Sequence, residues 1–247
     1  MTTRVAIAGA TGKLGRYAAE LVEQAYDLEL VARLDSSSPL EAMLDAEVLL
    51  DVTLPVVSPQ VVGFAIEHDL KVLVGTSGWS SERLASLDRQ VSEHPASGVI
   101  VIPNFSLGSA LATAFAAQAA RFFESIEIVE AHGAGKVDSP SGTAVRTAEL
   151  IALARRDLGP VAAPHVDQRA RGQQVASVPV HSLRMTGTIA RQSVLFGGPG
   201  ETLTIEHDTV SSEAYRAGIL LALRAAATAS GLTVGLESLV DLSPSVE

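Results

Sequence analysis

Hydrophobic residues arrive first along the chain in five short, nearly unbroken runs: RVAIAG, LELVARLD, AEVLLDVT, LKVLVGTSG and GVIVIPNFS. Runs rich in Val, Ile and Leu without polar alternation fit strands covered on both faces, which is the condition of a parallel sheet. Between them, Leu14 to Ala25 and Val61 to His68 carry apolar residues at helical spacing. The stretch SSERLASLDRQVSEH puts Leu84, Leu87 and Val91 on one helix face behind an expected cap at Ser81. Strand and helix alternate, so the first half reads as repeated βα units of a doubly wound α/β domain.

From Ser106 the pattern changes. A long Ala-rich helix, LGSALATAFAAQAARFF, leads to a strand, SIEIVEAH, then a loop, then the helix SGTAVRTAELIALARRDL. A connector with Pro and Ala near Gly159 to Pro164 precedes three further strands, VPVHSLRM, TIARQSVLF and ETLTIEHD, the last two joined by the turn GGPG. This is the pattern of a second α+β domain with a mixed or antiparallel sheet. The tail SEAYRAGILLALRAAATAS is again helical and amphipathic.

Composition narrows the class. With 28 acidic against 18 basic residues the formal charge is −10, which argues against a sequence-independent grip on nucleic acid or an anionic membrane surface. An anionic ligand must then be held by local donors. The absence of cysteine excludes disulfides, thiolate metal sites and cysteine nucleophiles. The start MTTRVAIAGATG runs as a strand into a turn, without the pattern of a signal peptide, and no run approaches the ~20 apolar residues of a membrane span. A cytoplasmic enzyme or regulator is the expected class.

The first strand runs directly into Gly9-Ala10-Thr11-Gly12-Lys13-Leu14-Gly15, a G-x-x-G-x-x-G turn that opens a helix. Glycines allow a tight turn and close backbone approach, and a helix N-terminus offers N–H groups to a pyrophosphate. Asp35 ends the second strand at the ~20-residue spacing from Gly15 where an acid binds a ribose hydroxyl. Together they predict a Rossmann-like dinucleotide site. Asp35 favours NAD by repelling a 2′-phosphate, while Arg33 and Lys13 could offset that repulsion and keep NADP in play. Thr53, Gly75-Thr76-Ser77-Gly78 and Pro103-Asn104-Phe105-Ser106 also fall at the carboxyl ends of apolar runs, the edge at which open α/β sheets bind ligands.

Of six histidines, His68, His94, His165, His181 and His207 read as surface or satisfied polar residues, and no pair has metal-ligand spacing with a carboxylate, so no metal is expected. His132 differs. It ends a strand and is followed by Lys136 and by Pro140-Ser141-Gly142-Thr143 at a helix start. There a carboxylate could sit on the N–H groups of Gly142 and Thr143, with Ser141 as cap and Lys136 supplying charge or a proton. On spacing alone, a solvated connector is the competing reading.

The stretch EAHGAGKVDSPSGTA resembles the signature E-x-H-H-x-x-K-x-D-x-P-S-G-T-A of dihydrodipicolinate reductases, the 4-hydroxy-tetrahydrodipicolinate reductases of bacterial lysine biosynthesis. VAIAGATGKLGR, DVTLP, VGTSGW and PNFSLG resemble further family segments in the same order. The resemblance implies NADH or NADPH contacts at Gly9 to Leu14, Asp35, Gly75 to Ser77 and Pro103 to Ser106. It implies proton transfer by His132 and Lys136, and a substrate carboxylate on Gly142 and Thr143. It further implies a homotetramer built through the second sheet and a C-terminal helix that returns to the nucleotide domain. The expected domains are therefore 1–105 with 215–247 and 106–214. The implied reaction is hydride transfer to a conjugated cyclic imine, a dicarboxylate, followed by protonation of the resulting enamine.

Gly133 departs from the family, whose second histidine contacts substrate. Losing a donor to a charged ligand costs roughly 1.5–3 kcal/mol, and glycines raise the entropic cost of holding the loop closed. Ser77 for threonine and Trp79 for phenylalanine are milder departures. Beside the lysine precursor, a divergent cyclic-imine reductase with weak activity on that substrate and a non-catalytic nucleotide sensor remain as readings.

Overall fold

The computed structural model describes residues 2–242. Their contacts divide into two compact units, one running to Phe105 and resuming at Tyr215, the other Ser106–Ala214. The first unit opens with β1 (Thr3–Ala8), α1 (Lys13–Gln24), β2 (Leu28–Leu34), β3 (Val48–Asp51), α2 (Ser58–Glu67), β4 (Lys71–Val74), α3 (Ser81–Glu93) and β5 (Gly98–Val101). The second unit contains α4 (Leu107–Ala119), β6 (Ser125–His132), α5 (Gly142–Ala154), β7 (Gln173–Val175), β8 (Val178–Arg184), β9 (Ala190–Gly198) and β10 (Glu201–Thr209). The chain then returns to the first unit with α6 (Arg216–Ala226) and β11 (Gly231–Val234).

The first unit is a parallel sheet in the order β11-β5-β4-β3-β1-β2. Every residue of β3 and β5 is buried, the consequence of helices on both faces and the reason these runs carry no polar alternation. The order reverses at β1, with β2 on one side and β3 on the other, so the carboxyl ends of β1 and β3 frame a topological switch point. α3 is capped one residue earlier than expected: Ser80 Oγ accepts from Arg83 N at 3.4 Å, while Ser81 already lies inside the helix.

The second unit's sheet is mixed, in the order β10-β9-β6-β8-β7, with β6 parallel to β8 and antiparallel to β9. Alternation along β6 sends Ile126, Ile128 and Glu130 into the buried face, where Ile126 and Ile128 pack with Ala116 of α4 and Ala144, Ala148 and Ile151 of α5. Ser141 caps α5, its Oγ accepting from Ala144 N at 3.3 Å. The helix stops at Ala154, short of the expected RRDL end. Arg155 instead turns its guanidinium back to the carbonyls of Ala120 and Phe123 at 2.6 and 2.5 Å.

Candidate active site

The predicted cofactor residues of the first unit fall at the carboxyl edge of its parallel sheet. Gly9 ends β1 with φ +83°, and a Cβ there would lie 2.5 Å from the Val52 carbonyl oxygen. A Cβ on Gly15 would come within 2.2 Å of the Gly9 carbonyl oxygen. The turn is thus drawn against both the β3 loop and its own helix more closely than a side chain permits. Gly12 stands at the N-cap of α1 without a capping side chain, and Thr11, Gly12 and Lys13 are exposed. Open helix donors and a glycine-lined approach are what a pyrophosphate needs, so the residues fit a dinucleotide.

Past β2, the Asp35 Oδ1 accepts from Ser37 N at 2.9 Å, Ser37 Oγ at 2.7 Å and Ser38 Oγ at 3.1 Å. The Ser37 hydroxyl, then the Ser37 amide and the Ser38 hydroxyl, hold its carboxyl below the usual carboxylate range. Arg33 is engaged elsewhere, its Nη2 2.6 Å from Glu23 Oε1.

Asp51, fully buried at the end of β3, organises the next loop and was not among the expected site residues. Its Oδ1 accepts from Thr53 N at 3.1 Å and Thr53 Oγ1 at 2.6 Å, and its Oδ2 accepts from Ser58 Oγ. Ser58 Oγ in turn accepts from Trp79 Nε1 at 3.2 Å, a bond that phenylalanine could not make. Thr76 is buried and its Oγ1 reaches the Asp51 carbonyl at 3.4 Å. Beside it, Gly75 leaves room for the Phe105 ring, which lies 2.6 Å from where a Cβ would stand. Ser77 follows Thr76, and Pro103 and Asn104 follow β5 at the same sheet edge. Ser106 belongs to the second unit, where it caps α4 and meets His207 Nε2 at 3.0 Å. Burial pushes the His207 imidazole pKa down.

In the second unit, His132 ends β6 on the same alternating face as Glu130. His132 Nδ1 donates to Glu130 Oε2 at 2.5 Å, which leaves Nε2 as the nitrogen available for proton transfer. Glu130, with no exposed surface, also accepts from Ser141 N at 3.2 Å and from both terminal nitrogens of Arg184 at 3.0 Å. Lys136 closes a turn on Gly133, N to O 3.0 Å, and its Nζ donates to Asp138 Oδ1 at 2.8 Å. With Ser141 spent on Ala144, the N–H groups of Gly142 and Thr143 are the open donors of the α5 start. The unit therefore combines an imidazole bonded to a buried acid, a lysine ammonium and a helix start whose first N–H groups are open.

Glu130, the first residue of the E-x-H signature, and Arg184 join this cluster although motif reading assigned neither of them a role. The signal for Glu130 is present in I-x-I-x-E-x-H, where period two puts an acid on the apolar face two residues before the histidine.

Burial alone would push the Glu130 carboxyl up, but hydrogen bonds from His132, Arg184 and Ser182 outweigh it and hold the group at about 2. An acid whose folded value lies below its unfolded value stabilises the fold at high pH. That contribution disappears as pH falls from 4.5 toward 2. The loss amounts to on the order of 3 kcal/mol. Urea unfolding of the wild type should therefore weaken over this window more than that of Glu130→Gln, whose midpoint lacks this step. Parallel pH curves would contradict the ion-pair assignment.

Residues 3–105 match the family described as dihydrodipicolinate reductase, N-terminus, and residues 108–240 match its C-terminus. A 4-hydroxy-tetrahydrodipicolinate reductase of Clavibacter sepedonicus is 61% identical over 247 residues, covering 100% of this chain and 89% of the relative. The enzyme of that name from Streptomyces griseus is 46% identical, covering 97% of this chain and 98% of its own. Among solved structures, dipicolinate-bound dihydrodipicolinate reductase from Paenisporosarcina sp. TG-14 superimposes with a TM-score of 0.77. It is 31% identical and covers 97% of this chain and 100% of its own. No described helix is long and apolar enough to cross a membrane. Both sheets, both halves of the sequence and the full-length relatives agree: the chain belongs to the dihydrodipicolinate reductase family of nicotinamide-dependent oxidoreductases.

Proposed function

We propose that this chain reduces 4-hydroxy-tetrahydrodipicolinate to tetrahydrodipicolinate, with NADH as the favoured reductant, in the cytoplasm and as a homotetramer. The observation that carries the reading is the Glu130–His132 pair on β6, followed by Lys136 and the open helix start at Gly142 and Thr143. Full-length likeness to reductases of that name supports the substrate.

Gly9 to Leu14 would hold the pyrophosphate, and Asp35 the adenosine ribose; Arg33, Thr53, Gly75 to Ser77 and Pro103 to Ser106 complete the proposed cofactor set. Loss of the 4-hydroxyl and a neighbouring ring proton as water would give the conjugated cyclic imine, to which a bound nicotinamide would supply a hydride. Lys136 Nζ, or His132 Nε2 when the ring carries a proton on both nitrogens, would deliver the single proton that the resulting enamine takes up. The Gly142 and Thr143 amides hold a substrate carboxylate at the positive end of α5, so an acidic chain handles a dianion with local donors. Incubation with freshly generated substrate should consume one NADH per tetrahydrodipicolinate formed, identified by its mass. NADH binding without oxidation would favour the sensor.

The coenzyme preference rests on Glu23 occupying Arg33 and on the ionised Asp35 facing a 2′-phosphate. Both Glu23 and Arg33 are about half exposed, and exposed pairs contribute only about 0.2–1 kcal/mol. Glu23→Gln should then raise kcat/KM for NADPH by no more than ~5-fold. Asp35→Ser should raise it further, by about tenfold, since it removes the repelling charge itself. An unchanged NADH/NADPH ratio in both variants would place specificity elsewhere.

Gly133 bears on substrate range. A Cβ there would stand 3.2 Å from the Thr188 carbonyl oxygen, whereas Gly135 has open space around it. Gly133→His should tighten dipicolinate binding by roughly tenfold, the gain of a charged hydrogen bond reduced by the shift demanded of Thr188. Calorimetry showing no gain would mean that the carbonyl contact, not the missing imidazole, shapes the loop.

A further inference from the structure

We infer that Glu130 and Arg184 are positioning residues for proton transfer, holding His132, the start of α5 and the Lys136 loop in one fixed arrangement. The inference rests on the function proposed for His132.

Glu130 sits where every neighbour donates. His132 Nδ1, the Ser141 amide and two guanidinium nitrogens all point donors at its two oxygens. An ionised carboxylate satisfies these donors and the Ser182 hydroxyl as well; an amide of the same shape would set its own N–H groups against donors. The carboxylate thereby selects the His132 tautomer that carries its proton on Nδ1. It also joins the proton-transfer residue to the residue that caps the proposed carboxylate site.

Arg184 supplies the countercharge and a second constraint. It is the register partner of His132 across the parallel β6–β8 pair, which brings its side chain to the same face. Its Nη1 donates to Glu130 Oε2 at 3.0 Å and to the Leu183 carbonyl at 2.7 Å. Its Nη2 donates to Glu130 Oε1 at 3.0 Å and to the Asp138 carbonyl at 2.6 Å. One planar group therefore grips the buried acid with both ends of its fork and also fastens the loop two residues beyond Lys136. A lysine ammonium is a point charge and cannot reproduce that fork. Neither Glu130 nor Arg184 needs to touch substrate for this role.

The test uses Glu130→Gln, Arg184→Met and Arg184→Lys in the full chain. The ¹⁵N resonances of His132 in the free protein report which ring nitrogen carries the proton, independently of turnover. The wild type should show the Nδ1–H form, and Glu130→Gln and Arg184→Met a mixture. With freshly generated 4-hydroxy-tetrahydrodipicolinate, kcat should fall on the order of 10²-fold, the cost of a misplaced catalytic group. The NADH dissociation constant should stay within about twofold, because the cofactor residues are untouched. Arg184→Met should regain ~10-fold in kcat with added guanidinium ion but not with ammonium. Arg184→Lys keeps the charge and serves if the other variants fail to fold; it should lose kcat in the same way. Wild-type-like His132 resonances in the folded variants would overturn the inference. Shifted resonances in variants of a wild type that reduces no substrate would overturn the proposed function and leave the positioning role standing.

Discussion

Substituting His132 by asparagine should lower kcat by about 10²–10⁴-fold, the usual contribution of a positioned acid or base, while leaving the fold and NADH affinity nearly unchanged. Asparagine is the informative replacement because its amide nitrogen falls near the position of the imidazole Nδ1. It can keep the bond to Glu130 Oε2, which the wild type makes at 2.5 Å. The buried acid thus retains a donor, and only Nε2 is lost. Stopped-flow traces at saturating substrate would separate the chemical step from binding. A kcat within threefold of wild type would assign proton delivery to Lys136 or solvent and remove His132 from the mechanism.

Gly9→Ala is the second large effect, and it acts on the other unit. At φ +83° any side chain is strained, at about 1–2 kcal/mol. The new Cβ would also meet the Val52 carbonyl oxygen at 2.5 Å, a backbone atom with no rotamer to yield. Overpacking of this kind adds roughly 1–3 kcal/mol. The two together, about 3 kcal/mol, should lower the melting temperature on the order of 10 °C. If the turn opens to relieve the clash, its amides lose their aim, and NADH should bind about 10²-fold more weakly. The single tryptophan, Trp79, follows the Gly75–Gly78 loop at the same sheet edge, so its fluorescence offers a direct titration signal. Normal NADH affinity in Gly9→Ala would mean that this turn does not hold the cofactor.

Much of this was legible from the chain because each feature had a local cause. Strands buried on both faces need no alternation, so β1, β3, β4 and β5 stood out as apolar runs. The β6–loop–α5 stretch carried His132, Lys136 and the Ser141 cap within a few residues of one another. What escaped had causes distant in sequence. β11 is four residues, opens on a glycine and is partly exposed at the sheet edge, so only its pairing with β5 defines it. β7, QQV, has one apolar residue and exists by pairing with β8. Arg184 lies 54 residues beyond Glu130, and only the parallel register of β8 on β6 brings them together. Asp51 reads as the end of a strand until Thr53 and Ser58 are seen to close on it. The cap at Ser80 rather than Ser81 and the early end of α5 show the same limit, since helix ends are set by hydrogen bonds to particular partners more than by periodicity.

Gly133 remains the point where reaction type and substrate preference separate, and one comparison addresses both. The purified full chain, with NADH, is assayed for kcat/KM on freshly generated 4-hydroxy-tetrahydrodipicolinate and on a cyclic imine without carboxylates. The account predicts ~10⁴ M⁻¹s⁻¹ or more for the dicarboxylate and at least ~10²-fold less for the imine that cannot engage Gly142 and Thr143. Equal values for the two substrates, or a larger value for the uncharged imine, would contradict it.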